Sequence, residues 1–159
     1  GRLVAAHAKE TTDFAGASKA VLAQLSKDGF DTSGVTLLDS SGLAKGNKVP
    51  ARLLTQIMTK AAGGEGGSAG RTLIADLPVA ALDGTLGNRL HDTSAAGTVR
   101  AKTGSLEQTA SLAGVVTTAD GRQLAFAVMT NGFPANGGGA AAAAIDNHFV
   151  APLASCGCS

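Results

Sequence analysis

Tryptophan and tyrosine are absent from this 159-residue chain, and five phenylalanines are its only aromatics. Recognition of nucleic acid by stacking bases on exposed rings is thereby close to excluded. Neither sign of charge dominates: 13 Lys and Arg stand against 12 Asp and Glu, a formal charge of +1. No sequence-wide field favours nucleic acid or an anionic membrane surface. No apolar run approaches the roughly 20 residues of a membrane-spanning helix, so no transmembrane segment is expected. Cysteine is confined to Cys156 and Cys158. None of the three histidines lies at a ligand-like spacing from them, so no metal site is expected. A disulfide across one intervening residue would be strained, and two thiols on the C-terminal tail are the expectation. The glycine-rich stretch 63–70 has neither a Gly-Lys-Ser/Thr nor a Gly-x-Gly-x-x-Gly set between strand and helix. It reads as a flexible loop, and no cofactor is expected.

What is present is apolar and small. Hydrophobic residues make up 44% of the chain, charged residues 16%, and there are 22 glycines. That combination excludes disorder and suits one globular domain able to bury a core. Gly1–His7 is neither an initiator methionine nor a secretory leader. It has the character of an amphipathic helix, with the expectation that residues before Gly1 belong to the same fold.

Along the chain, Thr12 or Asp13 caps a helix running to about Lys27, with Ala17, Val21, Leu22 and Leu25 on one face. Val35–Leu38 reads as a short buried strand and residues 39–43 as a turn-rich loop. Pro50 opens a helix with Leu53, Leu54, Ile57, Met58 and Ala61 on its apolar face. A short helix follows at about 71–75, then a loop over 82–89. From Thr98 the period changes to two. Residues 98–103, 110–117 and 123–130 read as strands, with Asp120-Gly121 as a hairpin signal. The Ala-rich stretch 139–154 reads as a helix lying across the sheet. Helices, then an antiparallel meander, then a covering helix make the fold class α+β.

The sharpest local feature is Lys102-Thr103-Gly104-Ser105 on the first meander strand. It resembles the Lys-Thr-Gly element of the penicillin-recognising serine enzymes, and that resemblance implies a lysine supplying a positive field beside a nucleophilic serine and an anionic substrate. By the same resemblance Thr103 and Ser105 would offer hydroxyls to a substrate carboxylate, Gly104 would remove a Cβ where another backbone approaches, and an N–H just beyond it would stabilise an oxyanion. Asp39 and Asp83 precede Ser or Gly in loops and read as turn formers. Ser40 and Ser41 have no adjacent base in sequence and read as loop hydrogen-bonders. His7, His91 and His148 share no motif and read as surface or core-edge residues. Glu107 follows the lysine strand, where its proximity makes it a candidate for side-chain specificity.

The resemblance to the penicillin-recognising serine enzymes does not rest on Lys-Thr-Gly alone. Leu37-Leu38-Asp39-Ser40-Ser41-Gly42-Leu43 with Asn47, Leu77-Pro78, Asp83-Gly84-Thr85-Leu86 with Arg89, 101–106, and Leu112-Ala113-Gly114 extend the likeness. In order and spacing, over roughly residues 35–133, they resemble peptidase family S13. These are the D-alanyl-D-alanine carboxypeptidases and endopeptidases typified by penicillin-binding protein 4. Ser-x-x-Lys and Ser-x-Asn, the family's other two motifs, are missing: no serine is followed three positions on by Lys or two positions on by Asn.

The resemblance implies that residues 1–159 form the C-terminal portion of one penicillin-binding domain, inactive alone. Lys102 would be its catalytic residue here, and Thr103, Gly104 and Ser105 its substrate-binding ones. It implies a peptidoglycan peptide or a β-lactam as ligand, an upstream fragment carrying the nucleophilic serine as partner, and an extracytoplasmic, secreted or periplasmic location. Two alternatives stay open. A serine β-lactamase fragment shares the lysine strand but not the Ser-Ser-Gly-Leu and Asp-Gly-Thr-Leu segments. A non-catalytic binding module of the same fold would also lack both serine motifs.

Overall fold

Asp13 closes the first turn of a helix by accepting a hydrogen bond from the Gly16 N–H at 2.7 Å, the ordinary work of an N-cap carboxylate. That same contact holds its carboxyl below the usual aspartate range. The helix, α2 (Phe14–Lys27), follows a short α1 (Arg2–His7). The computed structural model describes residues 1–157 and divides into two compact units, Gly1–Leu53 and the remainder from Leu54. No composition shift marks that division.

In the first unit α1 packs on α2 through small buried residues, Ala5, Ala17 and Ala20. Val21, Leu22 and Leu25 are not fully buried. The strand expected at Val35–Leu38 does not form. Thr36 makes one isolated bridge with Lys48, while the Leu38 and Asp39 N–H groups donate to the Asn47 side chain. Backbone donors satisfied by a side chain have no ladder to join. Arg52 donates to Asp31 at 2.9 Å and holds that carboxyl well below its ordinary range.

Helix α3 (Ala51–Ala62) begins one residue after Pro50, and α4 (Gly67–Ala75) begins four residues before the expected start. Glycine's low helix propensity is overridden there by close packing: a Cβ on Gly70 would lie 3.0 Å from the Ala61 Cα. Half of the expected flexible loop is therefore helix. Three strands follow, β1 (Val99–Leu106), β2 (Thr109–Thr117) and β3 (Gln123–Asn131), paired antiparallel in the order β1-β2-β3. They match the sequence reading and extend β1 by three residues. The turn between β2 and β3 places Gly121 at φ +80°, with Thr118 N–H bonded to Arg122 O at 2.8 Å.

The Ala-rich stretch is helical but not uniform: α5 (Gly138–Ile145), a π-helical turn (Asp146–Val150) and α6 (Ala151–Ser155). The Ala151 N–H reaches back to Asp146 O, a five-residue step. The widened turn adjoins Pro152, which has no N–H for the usual four-residue step. Leu86, Val99, Leu112, Val116, Phe126 and Val150 belong to the main core, between one sheet face and these helices. A smaller cluster of Met58, Leu77 and Val115 covers the other face. This α+β arrangement, a three-stranded antiparallel sheet with helices, is the expected class.

Cys156 is disulfide-bonded, which corrects the expectation of a free thiol there; Cys158 lies outside the described residues. Among the described residues no helix is long and apolar enough to cross a membrane.

Candidate active site

The register of β1 decides where each member of the Lys-Thr-Gly-Ser run points. Directly opposed pairs include Lys102 with Ala113, Thr103 with Leu112, Gly104 with Ser111 and Ser105 with Ala110. Opposed residues share a face and successive residues alternate. Lys102 therefore stands on the face of Ala113 and Val115, and Thr103 and Ser105 on the face of Leu112 and the main core. Gly104 has no side chain where one would collide with Ser111 Oγ, so the glycine lets the Ser111 hydroxyl lie over the strand. Ser111 had no role in the sequence reading, and no motif there pointed to it.

The same alternation splits the backbone. Val99 O accepts from Ala80 N–H and Ala101 N–H donates to Pro78 O, each at 3.0 Å, so odd-numbered residues turn their peptide groups away from β2. The stretch Pro78–Ala80 covers that outer edge only as far as Ala101. Beyond it the Thr103 and Ser105 peptide groups face outward without a backbone partner among the described residues. Lys102 Nζ folds back along this edge and donates to Thr103 O at 2.8 Å. The structure thus brings all four expected residues to one open half-strand, with the lysine exposed.

On the face of Thr103 and Ser105 lies a cavity of about 270 Å³. Its walls come from β1, from Thr85 and Arg89, and from Gly138, Gly139 and Ala142 of α5. The Thr103 hydroxyl donates to Thr85 Oγ1 at 3.1 Å. Arg89 is engaged with Asp146: Nε to Oδ2 at 2.8 Å and Nη2 to Oδ1 at 2.6 Å. This bidentate pair neutralises the guanidinium. The Asp-Gly-Thr-Leu segment was visible in sequence, but not that Thr85 would meet the lysine strand.

Asp39, Ser41 and Asp83 settle into structural work. Asp39 accepts from Gly42 N–H at 2.8 Å, Ala44 N–H at 3.0 Å, Ser41 Oγ at 3.0 Å and Asn47 Nδ2 at 2.8 Å. Chiefly through Asn47, its carboxyl is lowered to about 2. Asp83 accepts from Val79 N–H at 2.6 Å. Both are turn formers, and Ser41 is a loop hydrogen-bonder. Ser40, His7, His91 and His148 are exposed, and a His91 ring nitrogen lies 2.8 Å from Gly87 O. Glu107 is exposed just beyond β1.

A family model described as D-Ala-D-Ala carboxypeptidase 3 (S13) matches residues 1–152. The chain is 48% identical over 149 residues to carboxypeptidase DacB of Mycolicibacterium smegmatis, an alignment covering 91% of this chain and 31% of that protein. It is 41% identical over 115 residues to the D-alanyl-D-alanine carboxypeptidase of Actinomadura sp. R39, covering 68% of this chain and 20% of that protein. Among solved structures, penicillin-binding protein 4 of Haemophilus influenzae in complex with a β-lactam superposes with a TM-score of 0.76 and 32% identity. That match covers 83% of this chain and 30% of the other. The chain spans about a third or less of the length of these relatives.

Proposed function

This chain belongs to the D-Ala-D-Ala carboxypeptidase 3 (S13) family, and we propose on that premise that it is the lysine-bearing part of a serine D-Ala-D-Ala carboxypeptidase or endopeptidase. The substrate is a peptidoglycan stem peptide, met outside the cytoplasmic membrane, and β-lactams acylate the same site. The observation that carries the reading is the open half of β1, where a cation, two hydroxyls and an outward-facing N–H share one strand edge.

Each group has a distinct part. Lys102 sets a positive field along the edge, which favours a terminal carboxylate and the developing negative charge of the reaction. The Thr103 and Ser105 hydroxyls hold that carboxylate. The Ser105 N–H, directed away from β2 by the ladder, is the donor for the tetrahedral oxyanion. Gly104 keeps the strand surface free of a Cβ. No serine of this chain has Lys three positions on or Asn two positions on, so the nucleophile comes from a serine outside these 159 residues. Its Oγ bonds to the carbonyl carbon of the penultimate D-alanine and its proton passes by way of the family's motif lysine to the departing amine. The C–N bond breaks, the terminal D-alanine leaves, and water hydrolyses the ester to restore the serine. With a β-lactam the amine stays tethered and the ester persists.

The test uses the product of the whole reading frame that encodes this chain, exposed to a fluorescent penicillin and resolved on a denaturing gel. Covalent label is expected on that product, slowed on the order of a hundredfold by Lys102→Ala, as for loss of a group stabilising an oxyanion. The 159-residue chain alone is expected to stay unlabelled. Label on that 15.6 kDa chain would place a nucleophile within it and overturn the division of labour. Label that vanishes rapidly on chasing would support a β-lactamase instead, and a whole product that never labels would support a binding module.

A further inference from the structure

The Thr103 hydroxyl is not free on its strand; it is paired with Thr85 Oγ1 at 3.1 Å, a residue 18 positions earlier in the chain. Thr85 is mounted on a short 3-10 turn, Gly84–Leu86, that is fastened from several directions. Leu86 is fully buried in the main core. Ala81 N–H is shared between Leu86 O and Arg89 O, both at 3.0 Å. Asp83 accepts from Val79 N–H at 2.6 Å, and Val79 itself bridges to Arg100 of β1. Gly84 takes φ +52°, which lets the turn close tightly against Pro78. The Thr85 hydroxyl is therefore carried by a rigid arm braced on the same strand as its partner.

Two hydroxyls in contact place one of their two protons between them, and the hydrogen bond can point either way. With the edge empty, Thr103 donates to Thr85. With an anion on the edge, reversal lets Thr85 donate to Thr103 and leaves the Thr103 proton for the anion. The nearby Arg89 offers no substitute, because both Asp146 oxygens already engage it. Resting on the carboxypeptidase reading above, we propose that Thr85 is a positioning residue for substrate binding. It fixes the rotamer of Thr103 and supplies the return hydrogen bond that lets Thr103 donate to the terminal carboxylate of a peptide or β-lactam. A threonine has few χ1 choices, so one such partner is enough to select the productive one.

The experiment measures acylation rate constants of the whole reading-frame product by a penicillin free acid and by its methyl ester, for wild type, Thr85→Val, Thr85→Ala and Thr85→Ser. The ratio of acid to ester rates is taken within each preparation, so it does not depend on the fraction folded. Thr85→Val and Thr85→Ala are expected to slow the acid about fivefold, the worth of one ordinary hydrogen bond, and the ester less than about twofold. Thr85→Ser keeps the hydroxyl and is expected to retain the wild-type ratio. Equal slowing of acid and ester, or no slowing of either, overturns the assignment while leaving the carboxypeptidase reading intact. A wild-type product acylated by neither compound overturns that reading, and the assignment with it.

Discussion

Replacing Arg89 by Met should loosen the frame that carries Thr85, and the size of the effect follows from the ion pair it breaks. The guanidinium and the Asp146 carboxylate are only 20% and 10% exposed, and meet at 2.6 Å. Charges centred about 4 Å apart attract by about 4 kcal/mol at an effective dielectric of 20, and the desolvation of both groups offsets much of this. Removing Arg89 alone leaves Asp146 in place without its partner, a situation that costs about 3–5 kcal/mol when burial is complete. With part of the guanidinium in solvent, about 2–3 kcal/mol is the appropriate range. The pair joins the loop after residue 83 to the junction of α5 and the π-helical turn, so the loss should appear as local opening there. Amide hydrogen exchange in α5 and in β1 should quicken by between about thirtyfold and about 140-fold, since each 1.4 kcal/mol is tenfold. The double variant Arg89→Met with Asp146→Leu removes the stranded charge and should recover most of the protection. Exchange in α5 within about threefold of wild type for the single variant, or no recovery in the double one, would refute this account.

Two further changes probe the site and the unit before it. Gly104→Ala directs a methyl group at the movable Ser111 hydroxyl, and about 1–2 kcal/mol should be lost and then regained in Gly104→Ala with Ser111→Ala. Gly114→Ala instead drives a methyl into Arg100 O and to 2.6 Å from the Ala101 Cβ, so about 3 kcal/mol or more should go, with no single side-chain truncation to relieve it. Thermal midpoints that rank the two alike would count against this pairing of β1 with β2. In the first unit the Asp39 carboxyl lies near 2 against an ordinary 3.8. A lowered folded-state value stabilises the loop fully above about pH 4, and that contribution disappears as the pH falls through about 2. The Gly42 and Ala44 amides should therefore stay protected at pH 3.5, and a carboxyl midpoint by NMR at or above 3.8 would contradict the network.

The parts of the fold legible in the sequence are those where a local pattern and the packed structure agree. The strand pattern over 98–130 marked all three strands, although only the first half of β1 alternates in burial, while β2 is buried on both faces from Leu112 to Val116. Asp13 and Pro50 marked helix starts by their own chemistry. Where a distant partner decides, local reading failed. Val35–Leu38 is apolar enough for a strand, but no ladder partner runs beside it beyond Lys48 and the Asn47 side chain takes its donors. Gly67 and Gly70 argue against helix on propensity, yet the closeness of Ala61 to Gly70 requires a residue without a side chain. Pro152 carried a readable signal for the break between α5 and α6, since a proline inside a helical pattern must disturb the turn before it.

The candidate site shows the same boundary at finer scale. A run of Lys, Thr, Gly and Ser picks out the candidate residues, but not which side of the strand each faces or which peptide groups stay open. Those depend on pairing with β2, which sets the parity, and on Pro78–Ala80, which occupies the outer edge and stops at Ala101. Moving that cover by two residues would occupy the Thr103 peptide group, while a one-residue slip against β2 would exchange the faces of Lys102 and Thr103. The open edge is therefore a product of long-range register. Asp83, Leu86 and Arg89 act on it by fastening the segment that both limits the cover and presents Thr85, which is why a turn remote in sequence bears on the open edge of β1.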